Sequence, residues 1–178
     1  MKFEIVKRDV AYQGRAFGVQ QVHFNLPNGR HKVYDLVDHA DSISLLPLDD
    51  EGNLWFVRQY RVGVADELLE LPAGVLEAGE DPLQGAGREL REEIGMSAAR
   101  LTRLGGFYLA AGYCNEFMTV FLAQGLTPDP LPQDEDEFLT LVKIPLAQAL
   151  TMAQRGEIED AKTLAALLLL QVYQATNV

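Results

Sequence analysis

The chain has almost no cysteine: Cys114 is the single one among 178 residues. One cysteine excludes an internal disulfide, so we expect a reducing compartment, the cytoplasm. Long apolar runs are missing as well, because the longest, LAALLLLQVY over residues 164–173, is much shorter than the roughly 20 residues that cross a bilayer. The opening MKFEIVKRDV lacks the apolar stretch of a secretory signal. The sequence therefore predicts a protein that neither spans a membrane nor is secreted.

Positive charge is also scarce, with 15 lysines and arginines against 26 aspartates and glutamates, a net charge of −11. We expect no nucleic-acid partner, since the phosphate backbone binds basic surfaces. A small phosphate-bearing ligand would need a cation between itself and such a chain. The hydrophobic fraction of 48% is enough for a core, and the length fits one domain with an appended lobe.

Alternating apolar and polar residues predict strands, and Asn28–Gly29 predicts a hairpin turn between two of them. The predicted strands cover residues 3–12, 17–39 with the hairpin, 42–49, 53–61, 66–74, 103–110, 117–126 and 138–145. One helix lies between the groups at 66–74 and 103–110, and two helices, about 145–155 and 160–175, end the chain. This order predicts a mixed α/β fold and not a regular βαβ alternation.

The helix within residues 74–96 has clear end signals. Asp81 is a good N-cap, Pro82 suits the first helical position, and Gly95 is a plausible stop. At about 100° per residue, one side of the helix should face the core and the other should carry three acids. The core side would hold Leu83, Ala86, Gly87, Leu90 and Ile94, and the opposite side Glu89, Glu92 and Glu93.

The three acids have two readings. An exposed acidic helix face is one. Against it, the acids lie in the second half of the helix, where the macrodipole disfavours negative charge, and they stand at repulsive i,i+3 and i,i+4 spacing. A glycine-bearing loop, AGVLEAGE, also precedes the helix. A divalent cation would remove the repulsion, and Mg²⁺ prefers carboxylate and phosphate oxygens. The pattern therefore favours a magnesium site.

The same residues match the Nudix box, a pattern of many fixed positions at fixed spacing. They are Gly74, Glu80, Arg88-Glu89-Leu90, Glu92-Glu93 and Gly95-Met96. The chain thus resembles the Nudix hydrolases, which implies cleavage of a nucleoside diphosphate linked to another group, X. It also implies the Nudix form of an α/β (α+β) fold, a mixed β-sheet sandwiched between helices, here with an N-terminal antiparallel β extension.

Within that family, the segments around the box are similar to the ADP-ribose pyrophosphatase branch. FVRQYR (56–61) and ELPAG (70–74) precede the box, and DEDEFLTLV (134–142) and GEIEDAKTLAALLL (156–169) follow it. The resemblance implies that residues 1–40 form extra strands for a homodimer and that residues 41–178 form the hydrolase domain. Residues 109–116 read LAAGYCNE, a departure from the branch that leaves X open between ADP-ribose, another sugar nucleotide, and a dinucleotide such as FAD or NADH.

The resemblance also implies metal ligands and a base. The metal ligands would be the carbonyl of Ala73 and the carboxylates of Glu89, Glu92, Glu93 and Glu137, binding Mg²⁺ or Mn²⁺. A carboxylate should accept the proton of the attacking water. The candidates are Glu135 first, then Glu137 and Glu116. A solvated surface loop is the alternative use of the DEDE run, residues 134–137.

Three further residues are candidates for binding substrate: Arg61, Arg58 and Glu70. Arg61 matches the arginine that contacts substrate in the family, although a surface salt bridge is its simpler use. Arg58 lies on the opposite side of the same predicted strand. Glu70 could accept a hydrogen bond from an adenine amino group. A nucleotide-sensing module without activity is a last alternative, but such a module should lose box acids, and this chain keeps them all.

Overall fold

The structure, a computed structural model, describes residues 2–132 and 138–176. These residues form ten strands and three helices, which confirms the mixed α+β class. The strands are β1 (Glu4–Gln13), β2 (Gly18–Asn25), β3 (His31–Asp38), β4 (Ser42–Leu48), β5 (Asn53–Arg61), β6 (Asp66–Glu70), β7 (Ala73–Val75), β8 (Met96–Tyr108), β9 (Phe117–Pro128) and β10 (Thr140–Pro145). The helices are α1 (Pro82–Glu93), α2 (Leu146–Gln154) and α3 (Ala161–Thr176).

The chain divides into two compact units. The first contains Met1–Asp41 and Phe107–Met118, and the second contains Ser42–Gly106 and Thr119–Val178. The predicted extension ended at residue 40. Nothing in the sequence pattern indicated that residues 107–118 belong with it.

The first unit is built on a three-stranded antiparallel sheet in the order β1-β2-β3. The predicted hairpin is confirmed, with Gly29 at φ +79° in the turn, a conformation that glycine adopts without steric cost. Every residue of β1 is exposed. Its large apolar side chains are more than half exposed, among them Val10 at 68% and Tyr12 at 58%. This sheet therefore presents an apolar surface to its surroundings.

The second unit holds a larger sheet whose order is β10-β5-β4-β9-β8, with β6 paired to β5 and β7 to β4. Helix α1 packs on β4, and their apolar side chains form a buried cluster with residues of β5 and β9. Its buried members are Ile43, Leu45, Val57, Ala86, Leu90, Ile94, Phe121 and Ala123. This cluster fixes α1 and the strands around it as one rigid support.

Helix α1 begins as predicted, because the Asp81 side chain accepts a hydrogen bond from the Leu83 N–H at 2.9 Å. Its faces differ from the prediction. Leu83, expected in the core, is 49% exposed, whereas Glu89 and Glu93, expected on the outer side, are 8% and 3% exposed. The strand predicted from residue 103 also starts earlier, since β8 begins at Met96 directly after the helix.

Helix α3 buries one face and exposes another. Thr163, Ala166, Leu167 and Leu170 are buried, while Leu164, Leu168 and Val172 are exposed at intervals of four residues. In the part of the chain that the structure describes, no helix combines the length and apolar character that a bilayer crossing requires.

Candidate active site

A cavity of about 420 Å³ in the second unit collects most of the box residues. Strand β5 contributes two lining side chains and β7 contributes its backbone, while α1 supplies an arginine and three carboxylates. The lining residues are Gln59, Arg61, Ala73, Gly74, Val75, Glu77, Arg88, Glu89, Glu92 and Glu93. Residues from positions 59 to 93 thus meet around one space.

Two of the carboxylates are held against the backbone of β7. Glu93 accepts a hydrogen bond from the Ala73 N–H through Oε2 at 3.0 Å. The Glu89 carboxylate lies directly over Gly74, where a Cβ atom would stand 1.9–2.3 Å from its carboxyl atoms. Glycine at position 74 is therefore a steric requirement for the observed position of Glu89. Both acids are buried because β7 covers this side of α1.

Arg88 balances much of the negative charge in the cavity. Its guanidinium binds Glu80 through Nε and Nη2, at 3.0 and 2.9 Å. Its Nη1 lies between Glu89 at 2.7 Å and Glu92 at 2.8 Å. The hydrogen bond from Arg88 holds the pKa of Glu80 below its ordinary value, and its bonds with Glu80 help raise the pKa of Arg88 itself. The ion pair between Arg88 and Glu80 thus joins α1 to the loop that precedes it.

The residues of the cavity fit a divalent cation. Its donors are carboxylate oxygens, which hard cations prefer, and Gly74 leaves one of them room beside the backbone. Within residues 2–132 and 138–176, no three His, Cys, Asp or Glu side chains form a ready metal cluster. Arg88 Nη1 donates to Glu89 and Glu92, and so occupies carboxylate oxygens that a cation would use.

Arg61 lines the same cavity and is held from behind by Glu70. The two groups form a bidentate pair, Nε to Oε1 at 2.8 Å and Nη2 to Oε2 at 2.6 Å. Glu70 is 1% exposed and also binds Lys162. Burial acts to raise the pKa of Glu70, but the hydrogen bond from Arg61 and the charge of Lys162 outweigh it and hold that pKa below its ordinary value. The hydrogen bond with Glu70 raises the pKa of Arg61.

The other predicted site residues lie in different parts of the chain and do not all line the cavity. Arg58 is exposed and is not among the residues lining the cavity, since strand alternation turns it away from Arg61. Glu116 lies in the first unit, with Oε2 3.6 Å from Nδ1 of His39. Glu135 and Glu137 lie outside the described residues. The roles suggested for Arg58, Glu70, Glu116, Glu135 and Glu137 stay predictions.

Three lining residues were not among the candidates from the sequence: Gln59, Val75 and Glu77. A signal for Gln59 was present, because it stands two positions before Arg61 and therefore on the same strand face. Glu77 lies in the loop before α1, where its N–H donates to Glu80 at 2.9 Å. No periodicity identifies a loop residue of this kind.

Comparison with known proteins identifies the family to which the chain belongs. Residues 38–167 match the family described as NUDIX domain. The chain belongs to this family and is a Nudix hydrolase, a class that uses divalent metal ions. The resemblance read from the box is thus confirmed.

Individual relatives cover nearly the whole chain. It is 34% identical over 172 residues to a protein of Bacillus subtilis (strain 168) named ADP-ribose pyrophosphatase, covering 96% of this chain and 93% of the relative. It is 33% identical over 172 residues to the Methanol dehydrogenase activator of Bacillus methanolicus, with the same coverage. A crystal structure described as that of an ADP compounds hydrolase superposes with a TM-score of 0.87 at 29% identity, covering 99% of this chain and 96% of the other.

Proposed function

We propose that the protein hydrolyses the pyrophosphate bond of ADP-ribose to AMP and ribose 5-phosphate with Mg²⁺. One observation carries the proposal: a cavity in which buried Glu89 and Glu93 stand beside an arginine, Arg61, in a chain similar over its length to an ADP-ribose pyrophosphatase. A pyrophosphate bears negative charge. It therefore needs both the arginine and a cation before it can enter a cavity of carboxylates.

In this proposal the cavity residues divide the work. Glu89, Glu92 and Glu93, with the Ala73 carbonyl, hold Mg²⁺, while Arg61 binds phosphate oxygens. Bound Mg²⁺ would acidify a water and stabilise charge on the leaving phosphate. A water oxygen bonds to one phosphorus as the bridging P–O bond breaks, so both products leave as phosphate monoesters. Glu135 accepts the proton of the water and Glu137 adds a metal ligand, with Glu116 as the reserve base.

A substrate panel with Mg²⁺ tests the proposal. ADP-ribose, FAD, NADH, ADP-glucose and GDP-mannose are offered at equal concentration, and products are separated by chromatography. We expect AMP and ribose 5-phosphate from ADP-ribose at the highest kcat/KM. A highest kcat/KM for another compound would move the protein to the second candidate, a hydrolase of other nucleoside diphosphates. The broader description ADP compounds hydrolase of the similar structure favours that candidate.

Removal of metal gives an independent test. Protein treated with a chelator should lose hydrolysis, because the acids of α1 need a cation before phosphate can approach. Mg²⁺ should restore it, and Mn²⁺ is the second ion to compare. Equal rates with and without chelator would contradict the metal assignment.

Two further properties belong to the proposal. We expect a homodimer through the N-terminal strands, for which the exposed apolar side chains of β1 give support. We also expect the cytoplasm as the location, since a single cysteine suits a reducing compartment. The retained box acids argue against a sensing module without activity.

A further inference from the structure

Helix α3, far along the chain from the box, reaches the support of the cavity arginine. Lys162, in the first turn of α3, places Nζ against Glu70 and 2.9 Å from Asp160 Oδ1. Its side chain is 11% exposed, and that of Glu70 is 1% exposed. Glu70 therefore stands between two cations, with Arg61 on the cavity side and Lys162 behind.

The start of α3 is itself tied to the strand that carries Glu70. Asp160 accepts from the Thr163 N–H at 2.9 Å and from the Thr163 hydroxyl at 2.6 Å. The same hydroxyl oxygen accepts the Leu71 N–H at 2.9 Å, one residue after Glu70. Thr163 is fully buried. Lys162 is thus presented to Glu70 by a fixed backbone, and not by a flexible surface chain.

The arrangement leaves Arg61 prepared for a ligand. The described hydrogen bonds of Arg61 use Nε and Nη2, so the Nη1 donors remain for an anion in the cavity. Two cations against Glu70 and Asp160 make the cluster neutral. Loss of Lys162 would leave the two carboxylates of Glu70 and Asp160 with Arg61 as the one cation to balance them. Arg61 would then be drawn further into the pair and away from the cavity.

From this geometry we infer that Lys162 and Glu70 are positioning residues that hold Arg61 for the diphosphate of the substrate. The inference rests on the proposed function, because it concerns the substrate of the same cavity. It assigns Glu70 to orientation of Arg61 in place of direct contact with the adenine. A purely structural salt bridge between α3 and the sheet is the alternative.

A double-mutant cycle distinguishes a positioning role of Lys162 from a purely structural salt bridge. Lys162→Met should raise KM about 10- to 100-fold, the range seen when an outer partner of a functional ligand is removed, with a smaller change in kcat. Lys162→Arg should restore most of the loss. In an Arg61→Met background, Lys162→Met should have no further effect on kcat/KM, since the group through which it acts is gone. Arg155→Met removes one charge from a 69% exposed side chain of the same unit and should leave KM unchanged.

Melting temperature is recorded for every variant. If Lys162→Met does not fold, Lys162→Gln, which keeps a donor but removes the charge, takes its place with the same expected rise in KM. An unchanged KM in a folded variant, or an equal loss of kcat/KM with and without Arg61, would overturn the inference.

The cycle is measured on whichever nucleoside diphosphate the wild type hydrolyses fastest, with calorimetric binding of ADP-ribose as a second readout. If that compound is not ADP-ribose, the proposed function fails while the inference is still tested. A wild type that neither hydrolyses nor binds any compound of the panel would overturn both.

Discussion

A single methyl group at position 74 would collide with a site carboxylate. The Cβ of Gly74→Ala would stand 1.9–2.3 Å from the carboxyl atoms of Glu89. Those atoms are the end of a flexible side chain, so we expect Glu89 to move and the melting temperature to change little. Turnover should fall by at least ten-fold, because Glu89 leaves its place beside the backbone. The measurement is kcat together with a thermal melt.

Gly63→Ala is the matched control, since a Cβ there meets nothing within 4 Å and its φ is not positive. Gly63→Ala should leave both kcat and the melting temperature unchanged. Normal turnover in Gly74→Ala would show that the observed position of Glu89 is not needed for catalysis.

Glu93 allows chemistry to be separated from folding. Its Oε2 accepts the Ala73 N–H, and an amide oxygen in Glu93→Gln can keep that bond. The substitution also removes one charge from a crowded acidic helix, so the protein should melt at the same temperature or higher. Turnover should fall by orders of magnitude if Glu93 holds the metal. Enzyme assays and calorimetry on the same preparation give the two values.

Glu51→Gln, in the exposed turn between β4 and β5, is the control for loss of one carboxylate. A Glu93→Gln enzyme with near-normal AMP release would require the metal assignment to be withdrawn.

At the scale of elements, the sequence predicted the start and the apolar face of α1 but not the burial of its acids. The wheel placed Ala86, Leu90 and Ile94 in the core correctly, and the N-cap at Asp81 was also correct. It placed Glu89 on an outer side, yet the structure buries that acid beneath β7. A wheel distinguishes two faces, whereas a helix packed between a sheet and a strand has a second covered face. The wheel grouped the three acids on one side of the helix, and the resemblance to the box implied that they bind a metal.

Contacts made by distant parts of the chain were beyond prediction. Lys162 meets Glu70 across 92 positions, and no local pattern reports such a meeting. The early start of β8 was missed because residues 96–102 lack a clean alternation. Sequence patterns report which face of an element is apolar. They do not report which element will cover it.

The ion pair between Glu80, in the loop before α1, and Arg88, in α1, should make the free energy of unfolding depend on pH. The folded-state pKa of Glu80 lies below its ordinary value of 4.5, chiefly through the hydrogen bond from Arg88. Such a group stabilises the fold above the ordinary value, and the contribution is lost as pH falls through the folded-state pKa. The melting temperature of the wild type should therefore exceed that of Glu80→Gln at neutral pH. The difference should shrink below pH 4.5.

Thermal melts of both proteins over a pH series provide the measurement, with Glu51→Gln as the control. A gap between wild type and Glu80→Gln that stays constant through the acid range would contradict the role given to this ion pair.

At the scale of the whole molecule, the net charge of the chain and the charges that line the cavity both affect how an anionic ligand can bind. The chain carries −11, and its cavity is lined by five acidic or basic side chains from α1 and the loop before it, of which Arg88 alone is a cation. Arg61 on β5 is the other cation of the lining. In the proposed function, a diphosphate is therefore attracted where Arg61 and a bound metal act together.

The exposed strand β1 leads to the last prediction, a dimer in solution. Phe3, Ile5, Val6, Val10 and Tyr12 are each more than half exposed in the single chain. Several large apolar side chains exposed on one strand are the kind of surface that a protein partner covers. Light scattering at micromolar concentration should therefore give twice the chain mass of 19.7 kDa. Val10→Glu should shift the particles toward 19.7 kDa, because a carboxylate cannot be buried in an apolar interface without a partner.

Val62→Glu places the same charge on an 86% exposed valine of the second unit, outside the N-terminal sheet. It should leave the particle mass unchanged, so that a general effect of added charge can be recognised. Both variants should keep their melting transitions, since neither valine is buried in the single chain. Wild-type particles of 19.7 kDa would refute the dimer. A Val10→Glu protein that remains dimeric would instead move the interface away from β1, and the exposed leucines of α3, Leu164 and Leu168, would be the next surface to substitute.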